Sequence, residues 1–179
     1  MTSSLQKVYD RPGFLLKRCH QVTAAIFLTH CREFGVTASQ YGALRALEAY
    51  PDIDQLAVGR LIGQDRSTSG LVIKLLAERG LIERAVNDQD NRRMRLRLSA
   101  SGRRLLADME PAAKRAHEAA LSVLPKAKRA SFLALLEDFL RGHDAVIEPS
   151  DVMAGKPFGS RFDALIGERP VKRAARKRG

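Results

Sequence analysis

The sequence lacks the long apolar run that a membrane-spanning helix needs, since no stretch approaches about 18 consecutive apolar residues. Its start also lacks the apolar segment of a secretory signal. We therefore expect a cytoplasmic protein with no membrane partner.

Cysteine is scarce as well. Cys19 and Cys31 fall within one helical pattern, and a helix would hold them more than about 15 Å apart. That separation excludes a disulfide within the chain. It also excludes a zinc ion shared by these cysteines and the neighbouring His20 and His30, unless two copies of the chain share it. No metal site is expected.

Catalytic groupings are absent too. The sequence shows no paired carboxylates, no nucleophile with a nearby base and no glycine-rich phosphate loop. These absences argue against an enzyme, and no cofactor is expected.

Positive charge is abundant. The 179 residues include 31 basic and 20 acidic side chains, which gives a net charge of +11. Five of the basic residues lie between Val171 and Gly179, and the remainder of the chain still carries +6. A charge this basic points to a polyanionic partner, above all nucleic acid.

Apolar residues at steps of three and four predict a first helix over residues 14–34. Gly35 and Thr37 predict its end and the start of a second helix. This second helix covers about residues 38–50, and Pro51 stops it because proline has no amide hydrogen.

A shorter third helix follows, which Asp52 or Asp54 could cap and which ends near Gly63. Asp65 is a good cap for a fourth helix, and Gly80 ends it. One face of the fourth helix is apolar and the other is small and basic. The small and basic residues are Arg66, Ser67, Ser69, Gly70 and Lys74.

A charged β-hairpin is predicted next. Residues 81–86 are β-prone, and residues 87–91 have the composition of a turn. In the second strand apolar and basic residues alternate with a period of two, so one face is apolar. The alternating pairs are Arg93 and Met94, Arg95 and Leu96, and Arg97 and Leu98.

Two further helices complete the pattern. Ser99 can cap a long helix with a small-residue stripe that Pro111 interrupts, and Pro125 opens a last helix that Gly142 closes. Both helices have much apolar surface and no evident partner. Beyond residue 148 the chain turns to Pro, Gly, Ser and charge.

The predicted order of elements is that of a winged helix-turn-helix. This fold has a helix, a short helix, a capped helix and then a β-hairpin. The segment from Asp65 to Leu81 and the wing that follows resemble the MarR family of bacterial transcriptional regulators. The family's wing motif has an Asp, an Arg two residues on, an aliphatic residue and then Leu-Thr. This chain matches the wing motif with serine in place of threonine. The matching residues are Asp90, Arg92, Leu96, Leu98 and Ser99.

Two further places depart from that family's pattern. Members often carry Thr and Arg where this chain has Gly70 and Leu71, and Asn91 replaces the first arginine of a common Asp-Arg-Arg. We therefore expect the preferred DNA sequence to differ from that of standard members.

The resemblance covers about residues 14–142. It implies a mainly α fold with a small β-hairpin wing, that is, a winged helix-turn-helix plus a helical dimerisation region. We expect an N-terminal arm and dimerisation helix (1–36), a DNA-binding lobe (37–99), C-terminal dimerisation helices (100–148) and a basic, mobile tail (149–179). A homodimer would also cover the two helices that lack a partner.

Six residues of the fourth helix are predicted to contact the major groove of double-stranded DNA. Short hydroxyls and glycine let a helix N-terminus approach phosphates and base edges. The alternative is a solvated helix face with a capping cluster. The predicted set is Arg66, Ser67, Thr68, Ser69, Gly70 and Lys74.

The wing is predicted to contact DNA as well. Arg92 should enter the minor groove, where narrow A·T tracts concentrate negative potential, with Asp90 bracing it. Arg93, Arg95 and Arg97 are predicted phosphate contacts or, alternatively, the exposed face of a strand. A charged terminus is usually only solvated, so the tail is not assigned to DNA.

Many members of the resembled family sense small aromatic acids or related compounds, and some sense aromatic acyl-CoA thioesters. The resemblance implies a pocket between the dimer helices and the DNA-binding lobe, with a carboxylate clamp and aromatic walls. Gly13 stands where peroxide-sensing members carry a cysteine, so redox sensing is not expected. The candidates for the pocket, which could equally be helix-packing residues, are Arg18, His20, Phe27, Tyr41 and Arg45.

Together these features predict a ligand-responsive, homodimeric transcriptional repressor. A small aromatic acid or its CoA thioester would release it from a pseudo-palindromic operator. The main alternative is a nucleoid-type protein that binds DNA without sequence preference.

Overall fold

The computed structural model describes residues 11–87 and 90–142, with the side chains of residues 86–93 outside the description. Residues 1–10, 88–89 and 143–179, the last of which include the predicted tail, lie outside the described residues. The chain divides into two compact units, one up to Val123 and one from Leu124.

The first unit begins with helix α1 (Pro12–Cys31), which a short 3-10 turn (Arg32–Phe34) extends. Proline suits the first turn of α1 because its missing amide hydrogen has no partner to meet there. Gly35 follows with φ of 60°, a left-handed conformation that glycine adopts without strain. The predicted first helix and its glycine stop are confirmed.

Helix α2 (Ala38–Ala49) begins at a reciprocal cap. Thr37 Oγ1 accepts a hydrogen bond from the backbone amide of Gln40 at 3.2 Å, and Gln40 Oε1 accepts one from the amide of Thr37 at 3.0 Å. Two amide groups that the helix leaves unpaired are thereby satisfied.

Helix α3 (Gln55–Leu61) is capped by Asp54, whose Oδ1 accepts from the amide of Ala57 at 2.8 Å. Asp52, the other candidate cap, instead has a positive φ of 66° in the loop before the helix. Helix α4 (Arg66–Glu78) follows after a short turn and is the predicted fourth helix.

Strands β1 (Ile82–Asn87) and β2 (Asp90–Leu98) pair antiparallel, and Ile53 adds an isolated bridge to Leu96. Leu96 and Leu98 are buried as the alternation predicts, because the base of β2 packs against α2 and the helix that follows the strand. Met94 departs from the prediction. It lies closer to the tip and is 41% exposed.

Helix α5 (Ala100–Leu121) is continuous, with Pro111 inside it. Ser99 Oγ accepts from the amide of Gly102 at 3.0 Å and donates to the carbonyl of Gly80 at 2.6 Å. A Cβ at Gly102 would collide with the carbonyl oxygen of Leu81, so only glycine lets α5 leave the hairpin this closely.

One core joins the helices of the first unit to the base of the hairpin. Helix α1 packs along α5, whose buried stripe includes Met109, Ala113 and Ala116. The largest fully buried apolar side chains are Val36, Leu44, Leu47, Val58, Ile73, Leu76, Leu96, Leu106 and Met109.

The second unit contains helix α6 (Lys126–Gly142), none of whose residues is buried. Its exposed apolar side chains include Phe132, Leu135 and Phe139. The architecture is thus mainly helical with a two-stranded antiparallel hairpin, as predicted. No helix within the described residues is long and apolar enough to cross a membrane.

Candidate nucleic-acid interface

One carboxylate, that of Asp65, organises the first turn of α4. Its Oδ1 accepts from the amides of Ser67 and Thr68, each at 2.9 Å, and from Ser67 Oγ at 2.6 Å. Its Oδ2 accepts from Thr68 Oγ1 at 2.7 Å. These bonds, with the Ser67 hydroxyl first, hold the pKa of Asp65 well below its ordinary value because they favour the ionised form.

The cap also fixes the direction of two hydroxyl groups. Because Ser67 and Thr68 both give their hydroxyl protons to Asp65, each keeps only lone pairs to offer to another molecule. The hydroxyls of the first turn therefore present hydrogen-bond acceptors, while Arg66 in that turn and Lys74 two turns further along supply side-chain donors.

The outer face of α4 carries polar and cationic side chains around two exposed leucines, Leu71 and Leu75. Arg66, Ser67 and Lys74 are exposed, and Thr68 is half-buried. Lys74 Nζ lies 3.8 Å from Glu78 Oε1, one turn further along. Leu71 is 57% exposed among these residues, and the sequence pattern did not assign it a contact.

Ser69 corrects the predicted DNA-contact set. It is fully buried, and its Oγ donates to the carbonyl of Arg66 at 3.2 Å. A Cβ at Gly59 of α3 would lie 2.9 Å from Ser69 Oγ, so α3 and α4 approach closely at this point. Ser69 therefore serves the packing of α3 on α4 and does not reach the outer surface.

Gly70 also lies toward the neighbouring helix. It is half-buried, and a Cβ there would lie 2.9 Å from Nε2 of Gln55. That amide donates to the carbonyl of Arg66 at 3.2 Å. A small residue at Gly70 thus leaves room for a side chain of α3 that bonds to the first turn of α4.

The wing is tied to the loop before α3 by an ion pair. Arg97 donates to Oδ1 of Asp52 from Nε at 3.0 Å and from Nη2 at 2.7 Å. The sequence pattern predicted a phosphate contact or an exposed strand face for Arg97; it does not reveal this partner, which lies 45 positions earlier in the chain. Arg95 is half-buried in β2, whereas the side chains of Asp90, Arg92 and Arg93 lie outside the described residues.

A cavity of about 420 Å³ lies among α1, α2 and the end of α3. Its size is within the range of small-molecule sites. Among the predicted pocket residues, His20 and Arg45 line it, together with Tyr50, Ile62 and Gln64.

The other predicted pocket residues lie elsewhere. Phe27 and Tyr41 are buried in the core with ring centroids 5.2 Å apart, and Arg18 donates to Gln21 at 3.0 Å on the exposed side of α1. Arg45 connects the cavity to the buried aromatic pair, because its Nε donates to the hydroxyl of Tyr41 at 2.9 Å.

Arg45 is held by several partners in addition. Its Nη1 pairs with Glu48 at 2.7 Å, its Nη2 pairs with Glu110 of α5, and its guanidinium lies 5.3 Å from the centre of the Tyr41 ring. Burial disfavours its charge, but the hydrogen bonds with Glu48 and Tyr41 outweigh burial and raise its pKa. A permanent positive charge therefore stands at the cavity wall.

The cysteines occupy different environments. Cys19 is exposed and Cys31 is buried, and burial raises the pKa of the Cys31 thiol. Within residues 11–87 and 90–142, no three His, Cys, Asp or Glu side chains are grouped to hold a metal ion.

Comparison with known proteins gives concordant matches. The model of the MarR family matches residues 34–93. A putative transcriptional regulatory protein for the hcr operon of Thauera aromatica is 33% identical over 107 residues, which is 60% of this chain and 64% of that protein. The alignment thus covers less than two thirds of this relative. The transcriptional repressor NicR of Pseudomonas putida is 26% identical over 133 residues, or 74% of this chain and 84% of NicR.

Solved structures agree. A probable transcriptional regulator from Pseudomonas aeruginosa is 32% identical, with a TM-score of 0.68 over 74% of this chain and 98% of that one. BpsR of Bordetella bronchiseptica is 27% identical, with a TM-score of 0.67 over 73% of this chain and 94% of BpsR. The DNA binding of BpsR is regulated by 6-hydroxynicotinic acid. The repressor CouR, whose structure was solved bound to a 23-mer DNA duplex, is 25% identical, with a TM-score of 0.67 over 76% of this chain and 96% of CouR.

Proposed function

Because this chain belongs to the MarR family of transcriptional regulators, we propose that it is a homodimeric repressor that binds a pseudo-palindromic operator and is released by a small aromatic acid or its CoA thioester. The observation that carries the proposal is the outer face of α4. Its exposed Arg66, Ser67 and Lys74 stand on a helix that Asp65 caps and that the hairpin follows directly.

In this proposal α4 enters the major groove. Arg66 and Lys74 neutralise phosphates, while the hydroxyl oxygens of Ser67 and Thr68 accept from exocyclic amino groups of bases. Arg92 of the wing enters the adjacent minor groove, with Asp90 bracing it and Arg93 and Arg95 on phosphates. Ser69 and Gly70 act from inside by setting the distance between α3 and α4.

A second copy of the chain is the proposed partner for the exposed apolar faces. Helix α1 exposes Leu15, Val22 and Leu28. Helix α6 exposes Leu135 and Leu140 as well. Covering such side chains with the same surface of another copy removes apolar area from water. A dimer would present two copies of α4 to half-sites about one helical turn apart.

The proposed effector site is the cavity at His20 and Arg45. An aromatic carboxylate matches it, because Arg45 supplies a fixed positive charge and the mainly apolar wall of α2 suits a ring. The carboxylate would have to share Arg45 with Glu48 and Glu110. Loosening those ion pairs offers a route from the cavity to α5, and by linkage DNA must weaken the effector as much as the effector weakens DNA.

Gel shifts with the full chain test the proposal. The probe is the DNA upstream of its own gene, with a scrambled duplex of equal length and composition as control, in low salt. A retarded band for the upstream DNA alone supports an operator-specific regulator. Equal retardation of both duplexes would support a nucleoid-type protein, and the absence of any band would refute the proposal.

The effector is tested by titrating benzoate, 4-hydroxybenzoate, 6-hydroxynicotinate and benzoyl-CoA into the DNA complex. Release of DNA by one of them in the wild-type chain, and a much weaker response in Arg45→Gln, would support the site. A response that Arg45→Gln and His20→Ala leave intact would place the effector elsewhere.

A further inference from the structure

An exposed leucine lies at the centre of the outer face of α4. The inward residues of this helix are Ser69, Val72, Ile73 and Leu76, all buried. At 3.6 residues per turn, Leu71 points opposite to them. It is 57% exposed, so it contributes little to the core.

The neighbours of Leu71 suit a polyanion. Ser67 lies four residues before it and Lys74 three residues after it, so all three share one face of the helix. Arg66 is exposed at the start of the same helix. If these cations hold phosphates on either side, Leu71 is brought against the edges of the bases between them.

One base edge in the major groove is apolar. Thymine carries a methyl group at C5, which apolar side chains contact, whereas cytosine carries hydrogen there. Leu71 has no polar atom with which to read any other edge. It is the sixth residue of α4, and in helix-turn-helix docking the N-terminal part of the recognition helix reads base edges.

On these grounds, and resting on the proposed function, we propose that Leu71 reads the 5-methyl group of one thymine in each half-site. The contact specifies T·A over C·G at that position. It adds apolar specificity to a surface on which the other groups proposed to contact DNA are cations and hydroxyl oxygens.

The experiment begins with sites selected by the full chain from a pool of randomised DNA duplexes. Each thymine of the selected site is then replaced by deoxyuridine, symmetrically in both half-sites, which removes the methyl group and leaves pairing and phosphates unchanged. Burying one methyl group raises the affinity about fourfold. Because the replacement removes one methyl group from each half-site, we expect binding to weaken about fifteenfold at the thymine that Leu71 contacts. Fluorescence anisotropy at fixed salt measures it.

Three variants assign the effect. Leu71→Ala should bind the thymine and uracil duplexes with equal affinity. Leu75→Ala, a leucine 38% exposed on the next turn, should keep the full difference. Lys74→Ala should weaken both duplexes by the same factor, because it removes a phosphate contact and not a base contact. Thermal unfolding of each variant checks that it remains folded.

Several outcomes would overturn the inference. One is that replacing each thymine of the selected site by deoxyuridine never lowers the affinity by more than about twofold. Another is that Leu71→Ala keeps the wild-type ratio of affinities for the thymine and uracil duplexes. Loss of the ratio in Leu75→Ala alone would transfer the contact to that leucine. If the pool enriches no sequence at all, the operator-specific function itself fails; enrichment without a methyl effect refutes only the role of Leu71.

Discussion

Arg97 in the wing donates two hydrogen bonds to one carboxylate oxygen of Asp52, at 3.0 Å and 2.7 Å. The backbone amide of Asp52 also donates to the carbonyl of Leu96 at 2.9 Å, beside the bridge between Ile53 and Leu96. The loop that leads into the helix-turn-helix is therefore fastened to the base of the wing by side-chain and backbone bonds together.

A double-mutant cycle tests that fastening. Asp52→Gly removes the carboxylate but keeps the positive φ, and Arg97→Ala removes its partner. Because both side chains are partly exposed, we expect a coupling energy of about 0.2–1 kcal/mol in urea unfolding. A coupling energy of zero would contradict the proposed role of the pair, and a reduced salt dependence of DNA binding in Arg97→Ala would show that this arginine contacts phosphate.

The cap of α4 predicts a pH dependence. Because the pKa of Asp65 is lowered on folding, its carboxylate stabilises the folded state fully above its unfolded pKa of about 3.9. This stabilisation is lost as pH falls from there toward the lower folded pKa. Asp65→Asn keeps a good capping oxygen but no charge.

The measurement is the melting temperature of wild type and Asp65→Asn at pH 7, 5 and 3. The wild type should melt higher by a constant margin at pH 7 and 5, and the margin should shrink at pH 3. A margin that is independent of pH would mean that the ionised carboxylate makes no special contribution.

Gly102 should tolerate no side chain. In Gly102→Ala the new methyl meets the carbonyl oxygen of Leu81, a backbone atom that cannot move by rotating a side chain. We expect a loss of at least about 1–3 kcal/mol in the free energy of unfolding. Gly13→Ala is the matched control, since nothing lies within 4 Å of its Cβ position, and it should change stability by less than about 1 kcal/mol. Equal effects at both glycines would contradict the close approach.

Lys74 should contribute to the salt dependence of DNA binding. Each phosphate that a protein neutralises adds about 0.9 to the slope of log affinity on log salt. For a dimer, Lys74→Gln is expected to lower that slope by about 1.8. Glu78→Gln is the control, because it frees Lys74 from its partner at 3.8 Å and should not lower the slope. An unchanged slope in Lys74→Gln would remove this lysine from the phosphate contacts.

The sequence predicted the order of elements well because each boundary has a local cause. Thr37, Asp65 and Ser99 cap helices through bonds that span two or three residues, and Gly35 and Gly80 adopt the left-handed conformation that their positions suggested. Such causes are visible in a short window of sequence.

Long-range contacts were harder to predict. Ser69 was grouped with the small residues of the outer face of α4, but at 3.6 residues per turn it lies on the side of Val72 and Leu76, against Gly59. The partner of Arg97 and the placement of Phe27 and Tyr41 in the core depend on residues far apart in the chain. Leu71 was visible as a departure from the family pattern, but its exposure could be read only from the packing of α4.

The contact between Gly59 and Ser69 separates two tasks within one helix. Buried residues that face α3 fix where α4 stands, whereas positions 67, 71 and 74 face away from that contact. Substitutions at positions 71 and 74 therefore leave the contact between α3 and α4 undisturbed, whereas Ser67 also donates its hydroxyl to the cap at Asp65. If α4 reads the operator as proposed, positions 71 and 74 form a compact library for changing which DNA sequence the protein recognises.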